Sequence, residues 1–94
     1  MIVLNVTYRC KPGMRDAFLK RIVSEGIDAA CRKEDGNMQY AYFLPLAGGD
    51  DLLLVEKWRD AEALKAHGTQ PHYLRLGALK AEYVNETAIE RFEA

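Results

Sequence analysis

Four segments of the chain alternate apolar with polar side chains, and this period of two is typical of β-strands. The segments are Ile2 to Tyr8, Asn37 to Leu46, Leu52 to Trp58 and Asn85 to Phe92. Stretches that contain glycine or proline lie between several of them, as expected for turns. The pattern therefore predicts four strands.

Several side chains capable of chemistry lie on these strands, and neighbouring residues of a strand point to opposite faces. Glu56 and Trp58 share one face of the third strand, about 6–7 Å apart along it. Tyr40 and Tyr42 share a face of the second strand. Asn5 lies on the first strand, where a buried amide needs hydrogen-bond partners.

Apolar residues spaced three and four apart predict an amphipathic helix from about Gly13 to Cys31. Gly26 lies inside it, costs about 1 kcal/mol relative to alanine, and is expected to bend the helix or to allow a close approach. Asp60 is predicted to cap a short second helix that ends at His67, and Gly68 stops it.

A further helix is predicted directly after this stop. Thr69 is expected to cap it and Pro71 to occupy its first turn. Its predicted buried stripe consists of Leu74 or Leu76, followed by Leu79 and Tyr83.

The resulting order, β-α-β-β-α-β, predicts an α+β, ferredoxin-like fold with an antiparallel sheet and its helices on one face. The other sheet face would be uncovered, and the simplest partner for it is a second copy of the chain across a two-fold axis. Residues 1–94 are expected to form a single domain, because 94 residues leave no room for two.

Charge and composition narrow the function classes. The net charge is −1 and the charges are scattered, which argues against a nucleic-acid groove or a membrane surface. No apolar run approaches a membrane span, and the start lacks the features of a signal peptide, so a cytoplasmic location is expected. Cys10 and Cys31 are then expected to be free thiols, and no histidine adjoins either in the sequence, so no metal site is predicted on them.

The segment from Leu52 to Tyr73 holds most of the candidate chemistry. Trp58 could stack on a flat ring while Glu56 orients His67, or the two could serve only as a core residue and a partner for helix-start amides. His67 or His72 could be a general base or a donor to a substrate oxygen. Capping and packing is the alternative, and their spacing of five does not match a helical zinc pair.

Other side chains could add polar points to an apolar cavity. Asn5 could hydrogen-bond a phenolate or enolate oxygen. Tyr40 and Tyr42 could do the same, although a place in the core or in a dimer interface is the simpler interpretation. The chain has no phosphate-binding glycine loop, no G-x-G-x-x-G and no C-x-x-C, so flavin, nicotinamide and nucleotide sites are not predicted.

The run LLVEKWRDAEALKAHGTQPHY contains E-x-W, L-x-x-H and P-H-Y. With EDGNMQY and the first strand plus K-P-G, it resembles the antibiotic biosynthesis monooxygenase domain family of the dimeric α+β barrel superfamily, over nearly the whole chain. The resemblance implies two ferredoxin-like subunits packed sheet to sheet as a homodimer. It also implies a pocket in each subunit between the sheet and the helices.

Some members of that family are cofactor-independent oxygenases that convert anthrones or quinols to quinones with dioxygen. The resemblance implies such a monooxygenase here, with a small aromatic substrate and no cofactor. Trp58 would stack on the ring, Asn5 and His67 would hold its oxygen anion, and His72 is the alternative base. The expected substrate-binding residues are Glu56, Tyr40, Tyr42 and Tyr73.

Other branches keep alternatives open. The run A-H-G-T-Q-P-H-Y-L resembles isomerases of a small phosphorylated autoinducer sugar, which would need basic residues at the pocket, with Arg75 the nearest candidate. A haem-degrading branch carries a tryptophan where this chain has His67, which argues against haem. A third possibility is a ligand-binding barrel without turnover, favoured if Trp58, Tyr40 and Tyr42 fill the pocket.

Overall fold

The computed structural model describes residues 1–94 and contains four strands and four helices. In chain order they are β1 (Ile2–Cys10), α1 (Arg15–Ser24), α2 (Ile27–Arg32), β2 (Asn37–Phe43), β3 (Asp51–Trp58), α3 (Ala61–His67), α4 (Pro71–Tyr83) and β4 (Val84–Glu93). The strands form one antiparallel sheet in the order β2-β3-β1-β4. This confirms the predicted ferredoxin-like α+β fold.

The core lies between the sheet and the helices. In the central pair of strands Leu4 lies opposite Glu56 and Val6 opposite Leu54, so these four side chains point to the same face. Their burial alternates along β1 and β3 with less buried neighbours, as a strand period of two requires. The predicted alternation is therefore confirmed for both central strands.

The first predicted helix is broken at Gly26. This residue adopts a left-handed conformation with φ of +71°, which separates α1 from α2. Only glycine adopts this conformation at little cost, because a Cβ would crowd the following carbonyl oxygen. The expected bend is thus a full break, and it lets Ile22 in α1 and Ile27 in α2 both reach the core.

The second strand is shorter and less regular than predicted. It ends at Phe43 instead of Leu46, so Leu44 lies outside it. Its pairing with β3 shifts register between Asn37 and Gln39, and Met38 in this bulge is exposed, whereas Tyr40 is buried. The regular alternation predicted from Asn37 onward is therefore broken at the start of β2, because the bulge turns Met38 outward.

The helix starts agree only in part with the prediction. Asp60 caps α3, where its Oδ1 accepts a hydrogen bond from the Ala63 N–H at 2.9 Å, as expected. Thr69 does not cap α4, because Gln70 holds that position and the Thr69 hydroxyl donates to the Ala66 carbonyl oxygen. Pro71 begins α4 as predicted.

The buried stripe of α4 contains Leu76 and Leu79, whereas Leu74 is exposed. This settles the choice between Leu74 and Leu76 that the spacing left open. None of the helices combines the length and apolar character needed to cross a bilayer.

The other face of the sheet carries no helix. At its centre Val55 of β3 lies opposite Asn5 of β1 and Ala41 of β2. Phe43 and Phe92, at two margins of the face, are about half exposed. We call this surface the open face; it carries apolar side chains at its centre and margins together with polar ones.

Candidate functional site

A cavity of about 290 Å³ lies between the sheet and the pair α3 and α4. Ligand pockets usually measure about 300–1,000 Å³, so this one suits a small molecule. Five of its thirteen lining residues are aliphatic. The aliphatic side chains that line it are Leu4, Val6, Leu64, Leu76 and Ile89.

The lining also includes two aromatic rings, three charged or titratable groups, a threonine and two glycines. The rings belong to Tyr8 and Tyr73, and the polar groups to Glu56, His67 and Lys80. The Lys80 ammonium lies 5.4 Å from the centre of the Tyr8 ring, within the range of a cation–π contact. An apolar cavity with a few convergent polar groups is the usual form of a binding or active site.

Glu56 is a buried carboxyl at the edge of this cavity. Its Oε1 accepts a hydrogen bond from the indole Nε1–H of Trp58 at 3.0 Å. Burial raises the pKa of Glu56, and the Trp58 hydrogen bond and the nearby His67 partly oppose this. A carboxyl with a raised pKa takes up a proton more readily than an exposed one, so Glu56 can share in proton transfer.

His67 lies between two carboxyl groups. It ends α3 and is buried, with Nδ1 2.6 Å from Oε2 of Glu34 and Nε2 3.8 Å from Oε1 of Glu56. Its ring is 4.6 Å from the Trp58 ring and 5.0 Å from that of Tyr73, in an edge-to-face contact. These neighbours hold the imidazole in one orientation.

The Glu34 contact favours one tautomer of His67. A carboxylate accepts hydrogen bonds, so a neutral His67 satisfies it with the proton on Nδ1. The lone pair is then on Nε2, on the side of Glu56 and the cavity. A carboxylate behind a histidine in this way orients the ring and supports its use as a general base.

Glu34 also binds the second histidine. The same Oε2 lies 2.8 Å from Nε2 of His72. His72 is partly buried and does not line the cavity. The structure thus joins the two predicted histidines through one carboxylate instead of placing both at the substrate cavity.

The thiol of Cys31 belongs to this group. One donor atom each from Cys31, Glu34, His67 and His72 lies within 4.8 Å of the other three. Burial raises the pKa of the Cys31 thiol to about 12. The expectation that neither cysteine has histidines beside it is therefore wrong for Cys31. Folding brings the end of α2 close to the end of α3 and the start of α4. This set of donors could hold a metal ion.

The structure brings some of the predicted site residues to the cavity. Glu56, His67 and Tyr73 line it. Trp58 is fully buried, its N–H is occupied by Glu56, and it does not line the cavity. Trp58 therefore lies behind the wall that Glu56 and His67 form, and presents no ring face to a ligand in the cavity.

Other predicted residues are outside the cavity. Tyr40 and Tyr42 pack edge to face, their buried hydroxyls have no hydrogen-bond partner, and burial raises both pKa values. Asn5 points to the open face, opposite Val55, and so is separated from His67 by the sheet. The predicted joint contact of Asn5 and His67 with one substrate oxygen is therefore wrong for the cavity of a single chain.

Glu34, Tyr8 and Lys80 contribute to the site although the sequence interpretation gave them no role. Glu34 follows α2 in a turn, 33 positions before His67, and no local pattern marks it. The sequence could have indicated a place at the cavity for Tyr8 and Lys80. Tyr8 shares the strand face of Leu4, and Lys80 directly follows Leu79 in the buried stripe of α4. Arg75, the candidate for binding phosphate, instead forms an ion pair with Glu25.

A family model described as antibiotic biosynthesis monooxygenase matches residues 1–79 of the chain. The chain belongs to the antibiotic biosynthesis monooxygenase family. This family member is 33% identical over 73 residues to a Bacillus subtilis (strain 168) protein named "Putative monooxygenase YcnE", covering 78% of this chain and 75% of that protein. Membership of the family supports a general monooxygenase-like function.

Solved structures agree with the antibiotic biosynthesis monooxygenase family assignment. PA3566 from Pseudomonas aeruginosa has a TM-score of 0.87 and 26% identity, covering 99% of this chain and 92% of that one. A protein from Nitrosomonas europaea described as "Putative antibiotic biosynthesis monooxygenase" has a TM-score of 0.89, with 100% and 98% coverage. At 19% identity the second likeness shows the fold alone.

Proposed function

We propose that this chain is a cofactor-independent monooxygenase that oxidises a small aromatic compound, of the quinol or anthrone type, with dioxygen. The observation that carries the proposal is the position of His67, which has Glu34 behind it on Nδ1 and faces Glu56 and the cavity with Nε2. Such a histidine can remove a proton from a substrate inside an apolar cavity.

The cavity supports an aromatic substrate of limited size. Its volume is about 290 Å³, and seven of its thirteen lining residues are hydrophobic, including the rings of Tyr8 and Tyr73. A flat, apolar ring system gains free energy by leaving water for such walls. Tyr73 takes the role of aromatic contact that the resemblance implied for Trp58.

The chemistry would begin with proton removal. Nε2 of His67 takes a proton from the hydroxyl or the acidic C–H of the substrate, and the raised pKa of Glu56 lets this carboxyl share that proton. The Lys80 ammonium lines the same cavity and would stabilise the anion that forms. Trp58 acts as a positioning residue, since it holds the Glu56 carboxyl in place.

The substrate anion would then reduce dioxygen. In an anthrone-type reaction a ring CH₂ becomes C=O: one oxygen atom enters the product and the other leaves as water with the two hydrogens of that carbon. The substrate supplies all the electrons, so no external reductant is consumed. The protein contributes binding, deprotonation and exclusion of water from the anion.

The proposal includes a homodimer through the open face. Val55, Phe43 and Phe92 on that face are apolar and have no helix over them. Asn5 would then lie in the interface between two sheets, where its amide could bond across the two-fold axis. Its role would be assembly, not catalysis in the cavity described above.

The isomerase alternative has less support. A phosphorylated substrate needs several cationic groups at the pocket. Lys80 is the cation among the lining residues, whereas Arg75 donates to Glu25 at 2.6 and 3.0 Å and does not line the cavity. The ligand-binding barrel without turnover was favoured if Trp58, Tyr40 and Tyr42 filled the pocket. These three side chains lie outside the cavity lining, so that condition is not met.

Oxygen consumption tests the proposal. The chain is purified, treated with a chelator, and assayed with a panel of dihydroquinones and anthrones. We expect turnover above the spontaneous rate, and His67→Asn should lower kcat by about 10²–10⁴-fold, the usual contribution of a general base. Lys65→Gln, on an exposed position of the same helix, is the matched control and should leave kcat unchanged.

Two results would count against the proposal, the first against the oxygenase itself and the second against the role of His67 in it. One is an oxygen uptake no faster than the spontaneous reaction for every compound in the panel. The other is turnover that survives in His67→Asn at the wild-type rate, which would remove His67 from the chemistry. Binding of the same compounds without uptake, measured by calorimetry, would favour the ligand-binding barrel.

A further inference from the structure

Four side chains with metal-binding donors converge at a place that the proposed function does not fully use. Cys31 comes from the end of α2 and Glu34 from the turn after it, His67 ends α3, and His72 lies in the first turn of α4. Their four donor atoms all lie within 4.8 Å of one another. Cys31 and His67 are fully or almost fully buried, so water has little access to the centre of the group.

Hydrogen bonding accounts for only three members of the group. Oε2 of Glu34 lies 2.6 Å from Nδ1 of His67 and 2.8 Å from Nε2 of His72. The thiol of Cys31 takes part in neither contact, although it is turned towards the same centre. The hydrogen-bonded trio therefore does not explain why the thiol is there.

The donor types and distances fit a tetrahedral ion. With bonds of about 2.3 Å to sulfur and about 2.0–2.1 Å to nitrogen and oxygen, neighbouring donors of a tetrahedral zinc site are about 3.3–3.7 Å apart. The two contacts of Glu34 are shorter than this, so the carboxylate would move outward by less than about 1 Å when an ion enters. The other pairs of donor atoms lie within 4.8 Å of each other, so they would move closer together by a similar distance when an ion enters.

The surroundings of His67 supply a further feature of metal sites. A metal-bound histidine usually donates its second ring N–H to a carboxylate or carbonyl. Nε2 of His67 lies 3.8 Å from Oε1 of Glu56, which in turn accepts from Trp58. A small approach of Glu56 would complete a metal–histidine–carboxylate chain.

A route in from solvent is present on the Glu34 side. A second cavity of about 310 Å³ opens there and is lined by Glu34, Ala66 and Gln70, among others. An ion could approach the Glu34 carboxylate from this side without crossing the substrate cavity.

We propose that Cys31, Glu34, His67 and His72 form a closed, four-coordinate site for a zinc-type divalent ion. The thiolate and two imidazoles favour zinc or cobalt over magnesium or calcium, which prefer sites made only of oxygen ligands. All four positions are taken by the protein, so the ion is structural and ties α2, α3 and α4 together.

Metal binding at this site would change the role of His67. This consequence rests on the proposed function, whereas the metal site itself does not. When Nδ1 binds an ion, the neutral ring carries its proton on Nε2 and donates it towards Glu56. Nε2 then has no lone pair for a substrate proton. The base chemistry proposed above belongs to the metal-free chain, and the loaded chain would be a resting form.

Titration with cobalt(II) tests the site directly. The full chain is reduced, treated with a chelator, and titrated while its absorption spectrum is recorded. We expect one cobalt ion to bind per chain, with visible absorption bands as intense as those of tetrahedral cobalt(II). A charge-transfer band from the thiolate to cobalt should also appear, and zinc(II) should remove it by displacing the cobalt. Zinc should also raise Tm, since an ion that binds only the folded chain stabilises it.

Variants assign the donors. Cys31→Ser should abolish the charge-transfer band, and His72→Asn should weaken zinc binding and remove the rise in Tm. Cys10→Ser is the matched control, because Cys10 is the other buried thiol and is not part of the group. Glu56→Gln should weaken zinc binding by about 10–100-fold without loss of the band, as expected for a group that orients a ligand.

The circular dichroism spectrum of each metal-free variant establishes that it is folded. If Cys31→Ser fails to fold, His72→Asn alone decides the assignment. The proposal is overturned if wild type shows no stoichiometric cobalt band, or if Cys31→Ser keeps the band. It is equally overturned if Cys10→Ser loses the band as completely as Cys31→Ser, or if His72→Asn binds zinc as tightly as wild type.

Discussion

Glu25 shows at the scale of a single residue how the helices are held together. Its carboxylate accepts a hydrogen bond from Nε of Arg21, one turn earlier, at 3.0 Å. It also accepts two from Arg75 in α4, at 2.6 and 3.0 Å. These hydrogen bonds, with that of Arg75 the largest cause, lower the pKa of Glu25 from 4.5 to about 2.

The lowered pKa predicts how stability depends on pH. Between the ordinary value of 4.5 and about 2 the folded chain binds fewer protons here than the unfolded chain. The contribution of Glu25 is therefore fully present above pH 4.5 and is lost as the pH falls through about 2. Thermal unfolding across this window should show that Tm of wild type exceeds that of Glu25→Gln at neutral pH and converges with it near pH 2.

Glu62→Gln is the matched control for this titration, because Glu62 is exposed on α3, forms no ion pair and is not on the open face. Its Tm should follow that of wild type throughout. A constant difference between wild type and Glu25→Gln at every pH would show that the arginine contacts do not lower the pKa of this carboxyl.

At the scale of the elements, a break at one glycine divides the first helical segment into two helices. Gly26 separates α1 from α2 in a left-handed conformation, with φ of +71°. No heavy atom would approach within 4 Å of a Cβ placed there, so the requirement for glycine is one of backbone conformation and not of space. Gly77 in α4 also has open space at its Cβ position, but it has no left-handed backbone.

The two glycines therefore predict opposite results for the same substitution. Gly26→Ala should lower the free energy of unfolding by about 1 kcal/mol, because alanine is strained in the left-handed region. Gly77→Ala should raise it by about 0.5–1 kcal/mol, because alanine is the better helix former. Urea denaturation of both variants and wild type measures the difference. Equal midpoints for the two variants would contradict the assigned backbone of Gly26.

At the scale of the whole molecule, the two faces of the sheet differ in what covers them. One is covered by helices and contains the cavity, the two histidines and Glu56. The open face has Val55 at its centre and no helix over it. Because each side chain of β3 belongs to one face or the other, the proposed assembly and the proposed substrate binding would use different residues of the same strand.

A charge on the open face tests assembly. Val55→Lys should convert a wild-type dimer into a monomer, with dimerisation weakened by at least about 100-fold, because two like charges would meet near the two-fold axis. Light scattering during size-exclusion chromatography gives the molar mass. Val23→Lys, an exposed valine on α1 away from the open face, is the control and should leave the mass unchanged. A monomeric wild type, or a dimeric Val55→Lys, would argue against this interface.

The sequence determined most of the elements, because strand and helix periods are local properties of the chain. The alternation in β3 put Glu56 and Trp58 on one face, which the structure shows to be buried, and Asp60 marked the start of α3. The family was also within reach, since its motif residues lie within one stretch of the chain. Errors arose where a bulge at Met38 or a neighbouring turn at Thr69 altered the local pattern.

The tertiary structure alone decided which side chains meet. Glu34 has no distinguishing neighbours in sequence, yet it binds two histidines that follow it by 33 and 38 positions. Asn5 and Trp58 both looked suited to a site, but the pleat of the sheet sends Asn5 to the open face and leaves Trp58 behind Glu56. Such pairings depend on how helices cross the sheet, a long-range outcome of packing that no local period encodes.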